Sequence, residues 1–218
     1  MAILKAGQVG DFNGKIGQVV VSKWRQLLVG RSTPKKSGKK ASDVQLDQQS
    51  KFKLVTTFIS RLGKNIALGY QNSVGNLTPY NVAVKHHLNT AVTGVYPDYV
   101  IDMSKVVLSL PHSKNEIDGI ANVTMSNAVD GMVSLAWTKK SLSLNELTSD
   151  TDLVNVVFYN ETEDAIMSGY ADGTRISLKA DVFIPQEGPA DIIHAWLFMV
   201  SVSKKLVSKS IYLGVVEV

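Results

Sequence analysis

The residues best equipped for chemistry crowd into one stretch, RSTPKKSGKK at positions 31–40, where Arg31, Lys35, Lys36, Lys39 and Lys40 surround a proline and a glycine. Such a run can neutralise phosphates and release counterions, with Trp24 upstream to stack on a base. It can equally steer a protein partner or serve as a solvated connector. The net charge is only +4, and no reader motif for nucleic acid accompanies the run. Contact with protein, the same chain or a second copy, is therefore the leading expectation, and nucleic acid the alternative.

Other reactive patterns are sparse. Cysteine is absent, which removes disulfide staples, thiol nucleophiles and thiolate metal sites together. Of the four histidines, His86 and His87 are adjacent. On a helix they would point about 100° apart and could not share an ion. Both are expected at the surface or its boundary, and His194, in an apolar run, as a satisfied core or edge histidine. The carboxylates of NETED (Glu161, Glu163, Asp164) fall where a hairpin turn is expected, and acidic turns stay solvated. Nucleophile-elbow, phosphate-loop, zinc-protease and dinucleotide motifs are missing. The glycines at 7, 10, 14 and 17 precede a strand, so they offer no helix N-terminus to a phosphate. A non-enzymatic chain without cofactor or metal is expected.

The elements that must position the basic run follow from periodicity. Apolar Ile16–Val21 and Leu27–Val29, set among glycines, predict a β-hairpin. Ser42 followed by Gln45 fits a capping box, and Phe52, Val55, Ile59, Leu62 and Ile66 mark one stripe of a helix closing at Gly63 or Gly69. Thr78 and Pro79 start a second helix carrying Tyr80, Val84, Leu88 and Val92, stopped by Gly94. From Tyr99 the period becomes two. Val133, Leu135 and Trp137 alternate with Ser134, Ala136 and Thr138, while Ile176, Leu178, Val182 and Ile184 alternate with Arg175, Lys179 and Asp181. Seven such strands in about 100 residues suit an immunoglobulin-like or fibronectin-type-III-like sandwich.

Charge divides along the same line. Residues 1–100 hold 14 Lys and Arg against 4 Asp, and residues 101–218 hold 9 against 15 Asp and Glu. Opposite signs in two parts motivate an expectation of salt-sensitive self-association.

The segments GDFNGKIGQVVVSKW, RSTPKK, QLDQQSKFKLVTTFI and YNVAVKHHLNTAVTGVYPDYVIDMSKVVLS resemble the signature of an uncharacterised bacterial family of unknown function, the one numbered 6266. The resemblance covers nearly the whole chain and implies a glycine-rich hairpin, a basic loop, a Gln-rich helix start and a sandwich in that order. It brings no activity and no site residues. Trp137 also matches the buried tryptophan in the second strand of fibronectin type III domains. Where that family places a tyrosine in its sixth strand, this chain has His194 and Trp196.

The expected fold is α+β: residues 1–110 form a hairpin and two-helix basic unit, and residues 111–218 an antiparallel immunoglobulin-like sandwich. The expected role is structural or protein-interacting, with self-association. A nucleic-acid-associated protein, or a carbohydrate-binding module using Tyr159, Tyr170 and Tyr212, is the alternative. No membrane partner is expected, because the longest apolar run, Ala195–Val202, falls short of the roughly 20 residues that span a bilayer. The start MAILKAGQVGDFNGK lacks the apolar core of an export signal. The expected location is cytoplasmic, or outside the cell without a visible signal.

Overall fold

Gly17 takes φ +57°, the backbone a two-residue hairpin turn needs at its first position, and it reverses the N-terminal chain in this computed structural model. The structure describes residues 2–4, 13–24, 27–35, 38–71, 77–126, 131–138, 145–184 and 191–216. The chain divides into two compact units, Met1–Ser42 and Asp43–Val218.

The first unit is a small antiparallel sheet of β1 (Ala2–Leu4), β2 (Gly14–Ile16), β3 (Val19–Trp24) and β4 (Leu27–Ser32), in the order β1-β4-β3-β2. The expected hairpin is its β3–β4 pair, flanked by one further strand on each side. Beyond β4, the backbone N–H and the hydroxyl of Thr33 both donate to the Gln18 carbonyl, at 2.7 and 3.2 Å. That fixes the exit of the chain beside the β2–β3 turn.

The second unit begins with α1 (Asp43–Arg61), which breaks at Leu62 into α2 (Gly63–Gly69). Val55, Ile59, Leu62 and Ile66 are buried as the periodicity requires, but Phe52 is 54% exposed. Position 69, the last of α2, requires glycine for a steric reason: a Cβ there would lie 2.1 Å from the Leu108 carbonyl oxygen. After it comes α3 (Pro79–Thr90), whose capping Thr78 accepts a hydrogen bond from the Asn81 N–H at 3.2 Å. Val92, expected on this helix, instead opens the hairpin β5 (Val92–Val95) and β6 (Asp98–Ile101). Of the stretch Tyr99–Leu110, expected as one strand or a pair of short ones, only the part up to Ile101 is a strand, and residues 106–110 are tied by scattered bonds, among them Leu110 N–H to the Gly69 carbonyl and Tyr70 Oη–H to the Val107 carbonyl.

The sandwich comprises β7 (Ala121–Met125), β8 (Met132–Thr138), β9 (Leu153–Asn160), β10 (Ala165–Thr174), β11 (Lys179–Phe183), β12 (Ile193–Val200) and β13 (Ile211–Val216). Three strands pair as β11-β8-β7 and four as β10-β9-β12-β13, all antiparallel. The larger sheet is covered on both faces. Val154, Val156, Phe158, Ala195 and Leu197 share a core with Val133, Leu135 and Trp137 of the smaller sheet. Val157, Tyr159, Trp196 and Phe198 share a second core with Phe58, Ile59, Leu62 and Val84 of the helices. Helices, four strands and three strands therefore stack as three layers. Double burial explains why β12 is apolar without a break from Ala195 to Val200, where a half-buried strand would alternate. Residue 110 lies inside this second unit, because the helices bury their apolar stripes on the sheet that the sandwich provides.

One expected strand is shorter. Ile176 and Leu178, assigned inward by alternation, are 58% and 43% exposed, and Arg175, assigned outward, is 4% exposed. The backbone turns through a 3₁₀ segment at Arg175–Ser177, with Leu178 left-handed at φ +58°. The guanidinium overrides alternation because it finds a partner for its buried donors. It bonds the Asp152 carboxylate at 3.1 and 3.3 Å and the carbonyls of Asp118, Gly119 and Ser149 at 2.6–3.1 Å. A buried charge is tolerated only when satisfied in this way.

Candidate interaction surface

Strand register decides which basic side chains share a face. Lys15 pairs with Val20 and Val20 with Arg31, so these three form one row across β2, β3 and β4. Trp24 pairs with Leu27 and lies four residues from Val20 along β3, hence on the same face, roughly 13 Å away along the strand. Arg31 is exposed and Trp24 is 49% exposed. Neither Lys15 nor Arg31 has a carboxylate partner among the described residues. The opposite face carries Ile16, Val19 and Lys23, with Ile16 59% and Val19 48% exposed.

Lys35 lies just past β4, where with Lys15, Gln18, Thr33 and Pro34 it lines an open groove of about 500 Å³ beside the β2–β3 turn. Lys39 and Lys40 are exposed in the segment leading to α1. Lys36 lies outside the described residues. The sequence-derived set thus separates. Arg31 and Trp24 share a sheet face, Lys35 borders its end, and Lys39 and Lys40 belong to the connector. Lys15 is the residue that reading by charge clustering missed. Its signal was the two-residue turn at Gly17–Gln18, which fixes Lys15 opposite Val20.

The histidines serve the second unit. His87, expected near the surface, is 1% exposed. Its Nδ1–H donates to the Ala83 carbonyl at 2.7 Å, which leaves Nε2 to accept from the Val107 N–H at 3.1 Å. That neutral tautomer joins α3 to the 106–110 segment. Burial pushes its pKa from the ordinary 6.5 down to about 4, with His86 adding a smaller push the same way. The unfolded imidazole takes up its proton near pH 6.5 and the folded one only near 4, so the unfolded chain binds more protons between those values. The stabilisation is full above pH 6.5 and is lost as pH falls toward 4, by on the order of 3 kcal/mol. Thermal melts of wild type and H87Q between pH 7.5 and 4.5 should show a steeper acid loss in the wild type.

His194 is buried as expected. Its Nδ1 is 2.8 Å from the Tyr212 hydroxyl and its Nε2 is 3.1 Å from the Glu161 carboxylate. NETED does form the β9–β10 turn, where Asp164 meets Arg61 at 2.5 Å and accepts from the Tyr159 hydroxyl at 2.9 Å. Asp164 stands at φ +54°, which aspartate tolerates better than most residues. Of the three tyrosines weighed for sugar stacking, Tyr159 is buried, Tyr212 packs on Trp196 and only Tyr170 exposes its ring, beneath Lys204. They do not assemble one platform. Among the described residues no helix is long and apolar enough to cross a membrane.

A search of curated proteins finds no match. The model of a family described as "Family of unknown function (DUF6266)" matches residues 11–214, which takes in the β2–β4 sheet, the helices and nearly all of the sandwich, and the chain belongs to that family.

Proposed function

We propose that this chain is a non-enzymatic interaction module that assembles with further copies of itself through the basic sheet face of its first unit. The observation that carries this reading is the row Lys15–Val20–Arg31 with Trp24 on the same face: Lys15, Arg31 and Trp24 are exposed, and neither cation has a carboxylate partner among the described residues. Aromatic and arginine side chains are the commonest anchors of protein interfaces, and unpaired cations steer an acidic partner toward them. An acidic partner exists within the chain's own composition. Residues 1–42 hold nine Lys and Arg against one Asp, whereas residues 43–218 hold 14 against 18 Asp and Glu. A second copy therefore offers the basic face a unit of net negative charge.

The test is light scattering across a salt series. Screening shortens from about 10 Å at 0.1 M to about 3 Å at 1 M, so association is expected at the lower salt and dissociation at the higher. A monomer at every salt and concentration would sink the reading.

The same face supports a second reading. Trp24 on the same face as Lys15 and Arg31, about 13 Å along the strand, also combines a stacking platform with phosphate-neutralising cations. Fluorescence anisotropy with generic DNA and RNA separates the two: salt-sensitive binding favours nucleic acid, and none at low salt leaves the self-association reading.

The sandwich is best read as fibronectin-type-III-like. Its three-stranded sheet takes the first, second and fifth strands and its four-stranded sheet the third, fourth, sixth and seventh. Trp137, 3% exposed, sits in the second strand. Such a frame suits an assembly role, and a location in the cytoplasm, or outside the cell without a visible signal, is compatible with it.

A further inference from the structure

A cavity of about 510 Å³ opens in the second unit between α1, β6 and the end of β9, within the size range of small-ligand sites. Two rows of α1, each spaced by four residues, face it: Ser50, Leu54 and Phe58 form one, and Lys53, Thr57 and Arg61 the other. Tyr99, Ile101 and Met103 make the facing wall, and Tyr159 and Glu161 line the end of β9.

Its charges are separated along its length. Lys53 is exposed and has no partner among the described residues. Arg61 lies eight residues further along the helix, about 12 Å away, and is neutralised by Asp164 at 2.5 Å. Glu161 stands three residues from Asp164 in the same turn, so the cavity's carboxylate belongs to the Arg61 end. That carboxylate is half-exposed and aimed by His194 at 3.1 Å. A cation at one end, a carboxylate at the other and apolar walls between them describe the complement of an extended zwitterion with an apolar middle.

We propose that this cavity binds a short peptide of about three residues with apolar side chains, its carboxylate at Lys53 and its ammonium at Glu161. Three extended residues span about 10–11 Å, comparable with the roughly 12 Å of helix rise that separates Lys53 from Arg61, the end of the cavity where Glu161 stands. The site is independent of the basic sheet face, so either proposal can fail without the other.

Isothermal titration with the tripeptide Ala-Phe-Leu, its C-terminal amide and its N-acetyl form tests the assignment. The free tripeptide is expected to bind one saturable site. Each cap is expected to weaken binding about fivefold, the size of an exposed ion pair. In K53Q the amide penalty should vanish while the acetyl penalty stays, and in E161Q the reverse, which is the pairing a double-mutant cycle isolates. T57W, filling the cavity, should abolish binding, and K85Q, on an exposed site of α3, should leave it unchanged. Thermal melts establish that each variant is folded. Equal affinity for all three peptides, no saturable binding at millimolar concentration, or wild-type binding by a folded T57W would overturn the proposal.

Discussion

Replacing Asp152 by alanine is expected to destabilise the protein by about 3–5 kcal/mol, because it strands the Arg175 guanidinium in the interior without its counter-charge. Arg175 is 4% exposed and Asp152 1% exposed. The remaining carbonyl partners satisfy donors but cannot neutralise the charge. The pair also organises local backbone: Asp152 accepts from the Ser149 N–H at 3.0 Å, and the Trp137 indole donates to the Arg175 carbonyl at 3.0 Å. K209A, which removes an exposed pair with Glu116 at 3.6 Å, should cost no more than about 1 kcal/mol. Urea denaturation of both variants checks the contrast. The double variant D152L/R175M, which removes both charges, should recover much of the D152A loss. Equal losses in D152A and K209A would refute the burial argument.

A loss of similar size, about 3–5 kcal/mol, is expected for W196A. Trp196 is fully buried on the helix side of β12 and packs 5.3 Å from the Tyr212 ring and 6.1 Å from His194. Its indole N–H also donates to the Val106 carbonyl at 3.1 Å. The substitution therefore opens a cavity between the helical layer and the sheet and strands a carbonyl. W196F keeps most of the volume and loses only the bond, so about 1–2 kcal/mol is expected. Urea midpoints order the three proteins, and W196F as damaging as W196A would show that the bond, not the packing, holds the layers together.

Helix and strand positions were largely visible in the sequence because their periods differ. Thr78–Pro79 announced α3 through backbone chemistry that needs no tertiary partner, and the alternation of Val133, Leu135 and Trp137 announced β8 with its buried face. Failures occurred where a distant residue decides. Alternation alone placed Arg175 in solvent, since nothing local tells that Asp152 and the carbonyls of Asp118 and Gly119 converge on it. His87 was placed near the surface because its acceptor role depends on Val107, twenty residues on. Phe52 continues an apolar stripe, but the first fully buried side chain of α1 is Val55.

The candidate surface followed the same rule. Clustering of charge found Arg31 and the connector lysines, and Trp24 entered by proximity. Register, a property of pairing between strands, was needed to see that Lys15 and Arg31 flank Val20 on the face that carries Trp24. The cavity beside α1 was invisible at that level, because its two charged ends come from α1 and the β9–β10 turn, about 100 residues apart in the chain.

The most direct test of self-association through the basic face is sedimentation velocity of wild type and K15E/R31E side by side at about 0.1 M salt. The account predicts an associating wild type and a monomeric variant with an unchanged melting curve. A folded variant that associates as the wild type does would contradict it.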